Sequence, residues 1–324
     1  MTKAPVTRND VAEYAGVSTA VVSYVVNEGP RRVSPETRER VLEAIRVLGY
    51  RPNATARALR MGTTRTLGLI TPDGGNPLFA ELAKAIDKEA GARGYVVLQT
   101  SADGDPDTEH AKIAELLTRQ VSGLVLVAPT EDPDLSDVDV PIVAINRELP
   151  AASSVRSQYR EGARQGVDHL IGHGHRSVGL VIGHSRDGRP PERELGWRDA
   201  LEHAGLEAGP IARTTFSRRG GYDAGRELLA ATNRPTAIFA SSDLQAVGVL
   251  RAIHEAGLNV PDDIAVLAFD GTAETEYSWP PLSVVRQPLE QLAHQAVTRL
   301  IDGQDAVEAL TCPTDLIIRR SCGC

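Results

Sequence analysis

Residues 7–27 read Thr-Arg-Asn-Asp-Val-Ala-Glu-Tyr-Ala-Gly-Val-Ser-Thr-Ala-Val-Val-Ser-Tyr-Val-Val-Asn. Thr7 can cap a helix, with Asp10 three positions on as the reciprocal partner of a capping box. Val11, Ala12 and Ala15 then give a short helix an apolar inner face. Gly16 supplies a turn that needs a left-handed residue, and Ser18 caps a second helix whose Val21, Val22, Val25 and Val26 point inward. This is the helix-turn-helix layout, in which the second helix enters a DNA major groove. An ordinary helical hairpin shares the spacing, so the residues that follow decide between them.

Those residues are Ser34-Pro35-Glu36-Thr37, a cap with proline at the first helical position, followed by Val41, Ile45 and Leu48 at helical spacing. Gly49 ends this third helix, and Asn53 caps one or two further turns over 53–60. Three motifs now stand in order: Val11-Ala12-Glu13-Tyr14-Ala15-Gly16-Val17-Ser18, Val33-Ser34 through Thr37-Arg38, and Pro52-Asn53 with Ala56-Arg57 and Leu59. Together they resemble the DNA-binding headpiece of the lactose-repressor (LacI-type) family.

The resemblance implies a helix-turn-helix domain over residues 1–50 and a hinge helix with linker over 51–62. It implies phosphate contacts from Thr7, Ser18, Asn27, Arg32, Ser34, Thr37, Asn53, Arg57 and Arg60. Base reading would fall to Thr19, Ala20 and Tyr24, with Ala20 suited to a thymine methyl. Tyr24 stands where the family often has Arg, which puts the preferred base pair there in doubt. A helix as short as 53–60 is marginal alone. In the family two copies pack in the minor groove, so Leu59 would enter the central step and Ala56 would allow the close approach.

Charge agrees with this division. Residues 1–62 carry ten Lys/Arg against six acids, a balance of +4, and the rest carries 25 against 37, a balance of −12. A basic head on an acidic body suits a protein that meets phosphates at one end. Met1-Thr2-Lys3-Ala4-Pro5 has no apolar run behind it, so no signal peptide is expected. No stretch approaches the roughly 18 apolar residues of a membrane span. The expectation is a cytoplasmic protein with no membrane partner. Cys312, Cys322 and Cys324 read as reduced thiols without function, because Cys322-Gly323-Cys324 is too tight for a usual structural zinc pair and no second pair exists.

From Gly62 onward strands and helices alternate. Apolar runs 66–70, 95–98, 123–127 and 141–145 are separated by helical patterns over 77–93 and 107–119. The alternation resumes with helix 162–171, strand 178–182, helices 192–204 and 221–230, strand 237–239, helix 244–256 and strand 264–269. Continuous apolar strands between helices indicate parallel sheets buried on both faces. Two such lobes give a bilobal, Rossmann-type α/β domain of the periplasmic-binding-protein kind over 63–324. Lobe 1 is expected at about 63–160 and 288–324 and lobe 2 at about 161–287, with 280–290 returning the chain to lobe 1.

Ligands of open α/β sheets sit beyond the carboxyl ends of the strands. Those ends carry Asp73, Asn76 and Phe79, then Asn146 and Arg147, then Ser242 and Asp270, with Arg193 and Trp197 on a helix. These positions, with Phe216, resemble the family's effector site. Arg193 and Asp270 would make charge-assisted bonds, Asn146 and Ser242 neutral ones, and Phe79 and Phe216 would stack. Asp73 also suits a turn, Asn76 a helix cap and Trp197 the core. Ser242 stands where Asn is usual, Gly271 where an Asp often follows Asp270, and Gly74-Gly75 where bulkier residues are common, so ligand identity does not carry over.

His169, His173, His175 and His184 do not read as a metal site on one helix face, and no nucleophile elbow or dinucleotide fingerprint is present. The reading is a transcriptional regulator, not an enzyme, without cofactor or metal. Its partners would be a pseudo-palindromic double-stranded operator, a small effector with a carbohydrate first in mind, and a second copy of the chain. No leucine-heptad tail follows, which favours a dimer over a tetramer. The competing classes are a soluble binding protein with no direct DNA role and an enzyme on a Rossmann-like scaffold. The family's commoner habit is release of DNA on ligand binding; the residues themselves do not choose the sign.

Overall fold

The computed structural model describes residues 6–26, 32–51, 63–128, 133–150, 152–185, 190–303 and 307–324. The chain divides into two compact units, Met1–Arg65 and Thr66–Cys324. In the first, α1 (Arg8–Ala15), α2 (Thr19–Val26) and α3 (Pro35–Leu48) surround one small core of Val11, Ala12, Ala15, Val22, Val25, Val41 and Ala44. The Thr7–Asp10 capping box is formed, the Asp10 carboxylate accepting from the Thr7 backbone N–H at 2.7 Å. Gly16, at φ 64°, makes the left-handed turn into α2.

The second unit holds two six-stranded sheets. Lobe 1 contains β1 (Thr66–Thr71), α4 (Pro77–Ala92), β2 (Val96–Ser101), α5 (Pro106–Thr118), β3 (Gly123–Val127), β4 (Ile142–Ile145) and β5 (Ser153–Ser157). Lobe 2 follows with α6 (Tyr159–Gly172), β6 (Val178–Gly183), α7 (Glu192–His203), β7 (Ile211–Thr214), α8 (Arg218–Ala230), β8 (Ala237–Ala240) and α9 (Asp243–Glu255). It continues through β9 (Ala265–Asp270), α10 (Glu274–Tyr277) and β10 (Ser283–Arg286). The chain then returns to lobe 1 as α11 (Leu289–Asp302) and β11 (Ala309–Cys312), and ends in β12 (Asp315–Ile317) and a 3₁₀ turn, Arg320–Cys322.

Lobe 1 has the strand order β11-β5-β4-β3-β1-β2, parallel throughout. Its helices α4 and α11 share one core, where Leu82 and Ile86 meet Leu292, Val297 and the inward side chains of β1, β3 and β4. Lobe 2 has the order β12-β10-β9-β8-β6-β7, parallel except where β12 joins β10. Its α8 and α9 pack backbone to backbone: a Cβ at Gly221 would stand 2.1 Å from the Gln245 carbonyl oxygen, and one at Gly248 2.1 Å from that of Arg218.

The lobes are joined three times, and the third join departs from the sequence reading. That reading places all of 288–324 in lobe 1, but β12 pairs antiparallel with β10, Val284 opposite Ile317. Ser321 then fastens the turn, its hydroxyl donating to the Val266 carbonyl at 2.6 Å and accepting from the Ser283 N–H at 2.8 Å. The edge of β10 offers unpaired backbone groups, and a short strand with Leu316 and Ile317 fills it. Similarly, β10 lies inside the segment read as a crossover: it still belongs to lobe 2, and the chain crosses at Gln287-Pro288.

Candidate functional site

The first unit presents α2 with Thr19 and Ala20 exposed and Tyr24 half-buried. Ser18, Ser34 and Thr7 stand exposed at the three helix starts, Arg32 is exposed and Thr37 half-buried. Ser34 caps α3, accepting from the Thr37 N–H at 3.3 Å while its hydroxyl donates to Thr37 Oγ1 at 2.9 Å. Helix starts of this kind gather free N–H groups and positive dipole ends, the setting in which phosphate oxygens bind. Asn27, Asn53, Ala56, Arg57, Leu59 and Arg60, with the expected hinge helix, lie outside the described residues.

In the second unit the carboxyl ends of both sheets face a cleft of about 1160 Å³. Asp73, Asn76, Phe79, Asn146, Arg147, Arg193, Phe216 and Asp270 all line it. Asp73 also closes a turn by accepting from the Gly75 N–H at 2.7 Å, and Asn76 caps α4 through the Leu78 N–H at 3.0 Å. The Phe216 ring lies over the end of β6, where a Cβ on Gly183 would meet it at 2.3 Å. Phe216 is 47% exposed, an unusual position for a large apolar ring that has only one covered face.

The cleft floor is built around Asp270, which ends β9 at φ 112° and is nearly fully buried. Its Oδ1 accepts from the Arg193 guanidinium at 3.1 Å and from Gln287 Nε2 at 2.7 Å. Arg193 also donates to the Ser241 carbonyl at 2.7 Å and lies against the rings of Tyr159 and Phe269, 4.4 and 4.3 Å from their centroids. The two rings, with centroids 5.6 Å apart, and the two hydrogen bonds hold the guanidinium in place. The Arg193 Nε is buried and has no hydrogen-bond partner among the described residues.

Gln287 carries the floor across to lobe 1. Its Oε1 accepts from Asn146 Nδ2 at 3.1 Å, from the Ser157 hydroxyl at 2.9 Å and from the Tyr159 hydroxyl at 3.4 Å. Asn146 sits at φ 64°, so both it and Asp270 hold left-handed-side backbone at the end of a strand, the strained geometry typical of ligand sites. Arg156 on β5 bridges the lobes as well, paired with Glu148 at 2.8 Å and with Glu192 of α7 at 3.0 Å. At the mouth, the Ala273 N–H donates to Glu81 of α4 at 2.9 Å.

Burial governs the charge states here. It pushes the Asp270 carboxyl up, against the opposing pull of Arg193 and Gln287. Burial, reinforced by the Asp270 charge, pushes neighbouring Asp243 up to about 8. Burial also raises the Tyr159 phenol, which stays protonated. Asp243 Oδ2 accepts from the Thr272 N–H and hydroxyl at 2.7 and 2.8 Å, while Oδ1 is buried and has no partner among the described residues. The folded chain therefore keeps a proton that the unfolded chain releases above its ordinary value of 3.8, so this group's contribution to stability declines as pH rises from there to about 8. Asp243→Asn should flatten that decline in thermal melts across the interval, and a wild-type pH slope in the variant would refute the assignment.

Two expected site residues are elsewhere. Trp197 is fully buried in the lobe 2 core, its indole N–H donating to the Val178 carbonyl at 3.2 Å, and it does not reach the cleft. It lies on the inward face of α7, four residues from Arg193, whose side chain is held toward Asp270. Ser242 is buried as the cap of α9, accepting from the Gln245 N–H at 3.3 Å, and Ser241 takes the wall position. Gly271, at φ 83°, has no room for a side chain, since a Cβ would meet Arg286 at 2.6 Å. The sequence reading missed Tyr159, Arg156 and Gln287. Tyr159 precedes the point where the sequence reading begins the helix, and Gln287 stands in a segment read only as a connection.

Comparison with known proteins agrees with both units. The family described as bacterial regulatory proteins, lacI family, matches residues 7–53, and a periplasmic binding protein-like domain matches residues 167–322. The HTH-type transcriptional repressor PurR of Photobacterium profundum is 31% identical over 97% of this chain and 98% of its own length. The Lac repressor dimer bound to operator and the anti-inducer ONPF superposes with a TM-score of 0.84 at 29% identity, over 98% of this chain and 99% of that one. The transcriptional regulator CelR in complex with cellobiose gives 0.71 at 29% identity, over 98% and 99%. Among the described residues no helix is long and apolar enough to cross a membrane. With a headpiece, a two-lobed ligand cleft and a relative matched along nearly its whole length, the chain belongs to the lacI family of bacterial regulatory proteins and is a DNA-binding transcriptional regulator rather than an enzyme.

Proposed function

We propose that the chain is a dimeric, cytoplasmic repressor that reads a pseudo-palindromic operator and loses affinity for it when a carbohydrate occupies the cleft. The observation that carries the ligand class is the floor of Arg193, Asp270 and Gln287 beneath Phe216. A fixed guanidinium beside a carboxylate offers donors and acceptors to adjacent hydroxyls, and an exposed ring offers a face to the C–H side of a sugar. The similar Lac repressor structure is a dimer on operator and the CelR structure holds cellobiose, which supports the same reading here. Arg156 and Glu81 span the cleft, so a ligand that changes the lobe angle competes with or reinforces those links. That gives it the differential affinity a switch requires.

Operator reading is assigned to Thr19, Ala20 and Tyr24, with phosphate contacts from Thr7, Ser18, Asn27, Arg32, Ser34, Thr37, Asn53, Arg57 and Arg60. Selection from a random duplex library by the full chain tests this. Enrichment of a two-fold site with a deformable central step is the expected result, and no enrichment with or without pooled sugars would overturn it. Leu59→Ala should lower affinity for the selected site about tenfold to a hundredfold, the worth of one buried leucine, in titrations at fixed salt. Unchanged affinity would remove Leu59, and Ala56 beside it, from the minor groove.

A further inference from the structure

Far from the cleft, at the other end of α6, four metal-binding side chains come together. His169 on α6 and His173, its C-cap, are one helical turn apart, so the sequence reading that found no helix-face spacing among the histidines fails for this pair. The 3₁₀ turn Arg320–Cys322 brings Cys322 against them, and Gly323, at φ 94°, reverses the backbone so that Cys324 faces the same point. This reversal is what the tight Cys322-Gly323-Cys324 spacing hides in sequence.

Three of the four, His169, His173 and Cys324, hold donor atoms within 4.8 Å of one another, and Cys322 stands against two of those three. Cys324 Sγ lies 3.1 Å from His173 Nε2 and 3.5 Å from His169 Nε2. Cys322 Sγ lies 3.3 Å from His169 Nε2 and 3.4 Å from Cys324 Sγ. Zinc bonds of about 2.3 Å to sulfur and about 2.0–2.1 Å to nitrogen, at tetrahedral angles, give ligand separations of roughly 3.6 Å for N–S and 3.8 Å for S–S. Each of these four edges is within about half an ångström of that tetrahedron, and the edge between Cys322 and His173 is the one the ion must draw in. The Ser283 hydroxyl donates to Cys322 Sγ at 3.0 Å, the outer support that holds a ligating thiolate in place. His173 and Cys324 are exposed, which leaves the point open to solvent, while Cys322 is buried and anchors it.

We propose that His169, His173 and Cys324, with Cys322 drawn in as the fourth ligand, bind one Zn²⁺ or a similarly soft divalent transition ion, clasping residues 319–324 to α6. Two imidazole nitrogens and two thiolates favour zinc over harder cations. Binding replaces the two thiol protons, which leave to solvent, and no electron transfer is involved. Because α6 begins at Tyr159 in the cleft floor, the ion braces the helix that carries a ligand-site ring from its opposite end.

The full chain, reduced and stripped of metal, is titrated with Co²⁺ and then Zn²⁺. The expected result is saturation at one ion per chain, with thiolate-to-cobalt charge transfer and the strong visible bands of tetrahedral cobalt, both lost as Zn²⁺ displaces it. His173→Ala and Cys324→Ser alter exposed side chains, so they should melt like the metal-free wild type. Each should abolish the tetrahedral spectrum and weaken Zn²⁺ binding at least about a hundredfold, since losing an outer support alone costs about 10–100-fold and a ligand contributes more. Only weak octahedral cobalt bands, less than one ion per chain, or variants that bind as the wild type does would each overturn the site. The readout is independent of operator and sugar, so it stands or falls apart from the proposed function.

Discussion

Asp270→Ala should abolish the response to the effector and destabilise lobe 2, while the headpiece continues to fold. The substitution removes the acceptor of both Arg193 and Gln287 and leaves a guanidinium against two aromatic rings with no anion. Breaking one half of a buried ion pair costs about 3–5 kcal/mol because the other charge remains desolvated. Asp270→Asn separates the two effects, since it keeps shape and one acceptor oxygen. Its loss should appear mainly as a ten- to hundredfold weaker ligand, the worth of about 1.5–3 kcal/mol for a charge-assisted bond. Calorimetric titration with the effector found by screening, and thermal melts of both variants, measure the two quantities. A normal ligand response in Asp270→Asn would dismiss the carboxylate as a ligand group.

Trp197→Ala carries the other large effect, and here the cost is stability. The indole is fully buried among Leu170, Val178, Leu201 and Phe239 and gives its N–H to Val178. Removing a buried Trp costs about 3–5 kcal/mol, a large part of a domain's total of about 5–15 kcal/mol. Trp197→Phe should recover most of it by refilling the space. If Trp197→Ala instead weakened ligand binding at unchanged melting temperature, the indole would belong to the cleft after all.

These two residues show what could be read from the sequence. Asp270 follows a continuous apolar strand, so the rule that ligands meet strand carboxyl ends is enough to find it. Trp197 and Arg193 stand on the same helix, and the direction of each depends on how α7 is rotated against its sheet. The many charges on α7 blur its apolar stripe: Glu194, a carboxylate, is itself buried, held by Arg198 and Arg213 at 2.7 and 2.8 Å. The alternation of strands and helices was legible because the strands are apolar runs, most of them, such as β1, β3, β6, β8 and β9, buried on both faces. Edge strands β7, β11 and β12, and β5 beside β11, were not, being short and mixed in character, and defined by neighbours far away in sequence. Gln287 is a further instance, since its partners at 146, 157 and 270 converge only in the fold.

The triple join between lobes also sets the order in which the molecule can be made. The headpiece core uses residues within one short stretch, so it can close soon after synthesis. Lobe 1 cannot: α11, which covers one face of its sheet, and β11, which completes the edge beyond β5, are translated only after nearly all of lobe 2. Lobe 2 in turn waits for β12. A ribosome paused after β9 therefore holds a finished headpiece attached to two unfinished sheets with bare apolar faces, a natural substrate for chaperones. The unit that would face DNA is closed first and the effector cleft last, so a chain cut short before α11 carries a folded headpiece without a finished cleft.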